Sequence, residues 1–189
     1  MKSPSHNLFY AFISTFLIVC SHLAFAAESI NPEDIVHDFY SEYLKDEAGD
    51  NGVLVKKYVS YQLMNSIADS TMCNYDSDDS VSASASASEL ELELELEKKC
   101  SLKHECKQYK GNYICDWDGV WIESDVNYFT KSQDVYPSWK MNIKTNIITK
   151  DSIKSVVGVV LGNDSEPKNT LRVSLEKIDT SWKIISVTE

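Results

Sequence analysis

Apolar positions along the chain follow different periods in different stretches. The run PEDIVHDFYSEYLK, residues 32 to 45, places Ile35, Val36, Phe39, Tyr40, Tyr43 and Leu44 at helical spacing. Asn31 stands as its cap, Pro32 in its first turn, and Glu33 and Asp34 where acids favour the helix dipole. After the breaker DEAGDNG, the stretch VLVKKYVSYQLMNSIADS predicts one or two short helices. Leu54, Tyr58, Leu63, Met64 and Ile67 face inward, and Ser60 is placed to cap the second helix. From Asp125 onward the period shortens towards two. WKMNIKTNIIT alternates, SIKSVVGVVLG is a nearly continuous apolar strand ending at Gly162, NTLRVSLEKI alternates, and SWKIISVT closes the chain. NDSEPKN reads as a hairpin loop and Asp179-Thr180 as the last turn. Helices first and an antiparallel meander afterwards predict an α+β fold, with the N-terminal helices packed on one face of a curved antiparallel sheet.

One segment follows neither pattern. SDDSVSASASASELELELELEKK joins a small, polar Ser-Ala run, read as linker, to a Glu-Leu dipeptide repeat. As a strand, the repeat would put its glutamates on one face and its leucines on the other. Both residue types favour helix, so local propensity and period disagree. The segment, about residues 77 to 98, is expected to be a low-complexity insertion in a single domain of residues 27 to 189.

Charge and the termini narrow the class. MKSPSHNLFYAFISTFLIVCSHLAFAAES has Lys2 as its only charged side chain before Glu28, an apolar run from Leu8 to Cys20, and Ala24-Phe25-Ala26 before Ala27. This is the layout of a cleaved secretory signal over residues 1 to 26, and the run is shorter than a membrane span requires. Cleavage would leave 163 residues with 17 basic and 29 acidic side chains, a formal charge of −12. Such a chain repels nucleic acid and anionic lipid at long range, so a basic protein is the natural partner and no stable membrane insertion is expected.

The expected mature cysteines are Cys73, Cys100, Cys106 and Cys115, an even set suited to two disulfides in an oxidising compartment. Of the three pairings open to them, Cys73–Cys100 with Cys106–Cys115 is favoured, because the second bond would clasp the short KQYKGNYI loop. The spacing contains no C-x2-C unit, and His37 and His104 are the only histidines beyond residue 26, a poor set for structural zinc. Asp116-Trp117-Asp118-Gly119 begins like a calcium loop but lacks the further spaced acid, and Asn127 stands where its closing glutamate belongs. No G-x-S-x-G elbow, P-loop or H-E-x-x-H is present. No metal or cofactor is expected.

The leading FYxxYL, the middle YFTKSQDVYPSW and the ending LRVSLEKIDTSWKIISV resemble the nuclear transport factor two-like α+β cone. More closely they resemble an uncharacterised family of bacterial envelope proteins. The matching positions are Phe39, Tyr40, Tyr43 and Leu44, then Tyr128, Phe129, Gln133, Asp134 and Trp139. Leu161, Gly162, Leu171, Val173, Leu175, Trp182, Lys183, Ile184 and Val187 complete the match. The resemblance covers residues 31 to 69 and 125 to 188 and implies a fold rather than one activity, because that scaffold serves isomerases, dehydratases, ligand carriers, secretion-system proteins and immunity proteins.

An enzyme of this kind would use Asp134 as base, with Tyr128 or Tyr136 as oxyanion donor. The same aspartate serves equally well as a turn residue before Pro137. Acids around aromatic rings, as in Asp116, Trp117, Asp118, Trp121, Glu123 and Asp125, are what an interface with a basic partner requires, and the same pattern serves equally for tryptophans packed in the core with solvated acids around them. The expectation is a non-enzymatic, protein-binding domain of the Gram-negative periplasm, an immunity protein in its most concrete form. An envelope accessory protein and a small-molecule-binding cone are the alternatives.

Overall fold

The computed structural model describes residues 31–45, 51–75, 94, 97–102 and 104–189. The expected secretory signal and most of the Ser-Ala and Glu-Leu segment lie outside the described residues. Helix α1 spans Pro32–Tyr43, α2 Gly52–Tyr58 and α3 Tyr61–Tyr75. Pro32 occupies the first turn of α1, but Asn31 makes no side-chain capping bond there, and its Oδ1 instead accepts from Lys150 Nζ at 3.3 Å. Ser60 does cap α3, its Oγ accepting from the Leu63 N–H at 3.3 Å.

Strands β1 (Cys106–Tyr109), β2 (Asn112–Trp117) and β3 (Val120–Glu123) form one antiparallel sheet in that order. A short helix α4, Pro137–Met141, precedes β4 (Ile143–Lys150), β5 (Lys154–Leu161), β6 (Asn169–Ile178) and β7 (Ser181–Thr188), which form a second antiparallel sheet in sequence order. The fold is therefore α+β. The expected strand WKMNIKTNIIT is corrected at its start: Pro137 opens a helical turn with Trp139 buried in it, and the strand begins at Ile143. Proline fixes φ near the helical value and needs no N–H partner at that position.

Alternation along β5 and β6, and along β7 with a bulge at Ile185, points Val157, Val159, Leu161, Leu171, Val173, Leu175, Ile184 and Val187 to one face, each no more than 1% exposed. Helix α1 lies against this face with Val36, Phe39 and Tyr40 fully buried. Phe39 meets Tyr40, Tyr43, Tyr58 and Phe129 at centroid distances of 5.0 to 5.9 Å. Tyr40 carries its hydroxyl into this core because it can donate to the Phe129 carbonyl at 2.8 Å, and burial pushes its pKa well up. Register shifts at Ile147/Thr149 and Ser174/Leu175 bend the larger sheet. Val59, between α2 and α3, adds a parallel bridge to Ile184 that ties the helices to the β7 edge.

The cysteines pair as Cys73–Cys100 and Cys106–Cys115. The first bond, with the Lys99–Asp69 ion pair at 2.6 Å, fastens the end of the low-complexity segment to α3. The second joins directly opposed residues of β1 and β2.

Candidate protein-binding surface

The hairpin of β2 and β3 turns at Asp118-Gly119, with φ of 52° and 84°. Both values lie in the left-handed region required by the two-residue turn that Asp-Gly favours. Asp116 Oδ1 accepts from the Gly119 N–H at 2.7 Å, which closes the turn from within. Gln62 of α3 donates to the Asp118 carbonyl at 3.2 Å and buttresses it from outside. Below the turn, the His104 ring stacks on Trp117 at 3.8 Å, and its Nδ1–H donates to the Asp116 carbonyl at 2.9 Å.

Strand register sorts the remaining side chains. Trp117 pairs with Val120, Cys115 with Ile122, Asp116 with Trp121 and Ile114 with Glu123. One face therefore carries Trp117, Cys115, Val120 and Ile122, and the other Asp116, Ile114, Trp121 and Glu123. Trp117, Val120 and Ile122 are buried in the common core, against α3. That removes Trp117 from the expected partner-binding residues. Glu123 is only 9% exposed and accepts from Asn112 Nδ2 at 3.1 Å, so it too is a poor contact for a partner. Asp118 at the tip and Asp125 beyond the other end of β3 are exposed, with left-handed φ of 52° and 61°. Asp116 and Trp121 are half-buried neighbours. The acids consequently divide between tip and base and do not form a single ridge.

The fold adds residues that the sequence reading did not select. Tyr61, 75% exposed, directly precedes Gln62, the residue of α3 whose side chain reaches the tip. Its signal in the sequence is an aromatic ring out of phase with the Leu63, Met64 and Ile67 stripe. Lys107 of β1 places its Nζ 3.8 Å from the Trp121 ring centroid. At the base, Lys131 lies 3.6 Å above the Tyr128 ring, and burial draws its pKa down to about 8 against the pull of Glu123 and Glu189. Glu189 in turn accepts from Tyr109 and Lys110.

The residues drafted for a catalytic pocket are differently placed. Tyr128 is buried with its hydroxyl accepting from the Val187 N–H at 3.3 Å, and Tyr136 leans on Trp139 at 5.4 Å. Asp134 is exposed, and its own N–H donates to Ser132 Oγ at 3.3 Å. A phenol engaged with backbone and a carboxylate in water do not form a base and oxyanion-donor pair. Among the described residues no group of three or more His, Cys, Asp and Glu side chains could hold a metal ion, and no helix is long and apolar enough to cross a membrane.

No family model and no curated protein matches the chain. Two solved structures that do match are the native and selenomethionine forms of the type VI effector–immunity complex Tae3–Tai3 from Ralstonia pickettii. The matched chains are 16% identical to this one, with a TM-score of 0.47. The match spans 84% of this chain and 96% of the selenomethionine or 94% of the native one.

Proposed function

We propose that this chain is a non-enzymatic, secreted protein-binding domain of the Gram-negative periplasm. It is built on the nuclear transport factor two-like cone and acts as an immunity protein that neutralises an antibacterial effector. The observation that carries the protein-binding reading is the hairpin tip. Asp116 and Asp118 are held by the turn bond, the Gln62 prop and the Cys106–Cys115 clasp, and α3, which supplies the prop, also carries the solvent-facing ring of Tyr61. An acidic turn already fixed in shape loses little entropy on docking, its charge steers a basic partner, and an aromatic ring supplies contact area. The formal charge of −11 favours the same class of partner. Two disulfides suit an oxidising compartment. The immunity role draws on the expected leader, the acidity and the resemblance of the scaffold.

The test is capture from the native cell envelope with the mature protein as bait, at low and high salt, beside a Tyr61→Ala/Asp118→Asn variant. The expected result is a basic partner that is released by salt and weakened about tenfold or more in the variant. An effector neutralised on coexpression supports the immunity role, whereas a resident envelope component transfers the role to an accessory protein. A partner indifferent to both salt and variant overturns this surface, and no partner at either salt favours a small ligand.

A further inference from the structure

Trp121 lies on the face of the small sheet turned away from the common core, and its ring is already covered by a cation, the Lys107 ammonium 3.8 Å from the centroid. Asp116 stands directly opposite Trp121. The Asp116 N–H donates to the Glu105 carbonyl at 2.8 Å, and the β1–β2 register carries Glu105 into the same cross-strand row. The row thus presents two carboxylates and an indole, with a positive side chain resting on the ring.

We propose that this row is a receptor for a cationic side chain of the partner protein, arginine above all, and that Lys107 fills it in the free protein as an internal stand-in. The inference rests on the protein-binding reading and names the chemistry that the partner brings. Indole is the strongest of the aromatic faces for a cation. A guanidinium is planar and less tightly hydrated than an ammonium, so it stacks on the ring while its edge N–H groups reach carboxylate oxygens. Lys107 belongs to the edge strand β1 and is exposed, so it can swing aside into water without disturbing the core.

The experiment titrates the mature chain with acetyl-triarginine amide near physiological salt and follows the indole N–H signals by NMR, with Trp121 assigned through Trp121→Phe. The Trp121 signal is expected to move, and Trp121→Leu to abolish binding at this site. Lys107→Ala, which removes the internal competitor, should tighten binding by about threefold or more. Lys144→Ala, the same charge change on the other sheet, should leave the affinity almost unchanged. Equal tightening in the two lysine variants, or unchanged binding in Trp121→Leu, would show only long-range attraction by an acidic chain and overturn the proposal. An envelope partner that still binds Trp121→Leu would also overturn it while leaving the protein-binding reading intact. Triarginine seated on Trp121 with no captured protein would uphold the receptor and count against that reading.

Discussion

Lys131 adopts φ of 50° and holds its ammonium 3.6 Å above the Tyr128 ring, where burial lowers its pKa to about 8. Between pH 8 and the ordinary lysine value of 10.5, the unfolded chain keeps a proton that the folded chain has released. Stability from this group therefore rises with pH across that window. Below it, folding bears a cost on the order of 3 kcal/mol for the buried charge. Side-chain NMR is expected to find one lysine titrating near pH 8, and Glu123→Gln should move that midpoint lower, because the carboxylate favours the ammonium. Titration of Lys131 together with the exposed lysines would mean that burial there is not felt. Only Tyr128 is a sequence neighbour in this environment, since the carboxylates that pull on the ammonium, Glu123 and Glu189, come from β3 and the C-terminus. Gly162 differs. Its place at the end of an apolar strand is legible, but only the fold reveals why a side chain is excluded. Its φ is 93°, and an added Cβ would stand 2.8 Å from Trp139 Cδ1.

The β2–β3 hairpin shows how an element can be hidden by its own chemistry. Asp-Gly between Trp117 and Val120 is a strong hairpin signal, yet the neighbouring acids and rings read as contacts for a partner instead. One oxygen of the Asp116 carboxylate, Oδ1, is in fact bound into the turn. Replacing Cys106 and Cys115 by serine opens a clasp of nine-residue separation and is expected to cost about 2.5 kcal/mol. Hydrogen exchange should show protection falling in β1 and β2 while the β4–β7 amides stay protected. Parallel loss in both sheets would mean that they unfold as one unit. The helices and β6 were legible because their apolar positions repeat with a simple period, and β5 and β7 because each is a short apolar run bounded by turn residues. Residues 125 to 142 were not, because there irregular turns and a single helical turn deliver Phe129 and Trp139 to the core without any period.

For the whole molecule, the low-complexity segment leaves α3 and is tied back to it by Cys73–Cys100 and Lys99–Asp69. Deleting residues 80 to 97 would shorten the separation of those cysteines from 27 to 9 residues without touching a described core residue. The expected outcome is a cooperative melt shifted by no more than about 4 °C, measured by circular dichroism. Loss of cooperativity would make the repeat part of the folded core. The sequence by itself determined the leading helices, the order of the last four strands and the inward face of α1, because periodicity is a local property of the chain. The acidity and the even cysteine count were equally plain. Only the tertiary structure decided that Trp117 is core while Trp121 carries a lysine, that Glu123 is buried, and that the Tyr61 ring faces solvent. Alternation gives every strand two faces, but what covers each face is set by residues far away in the chain.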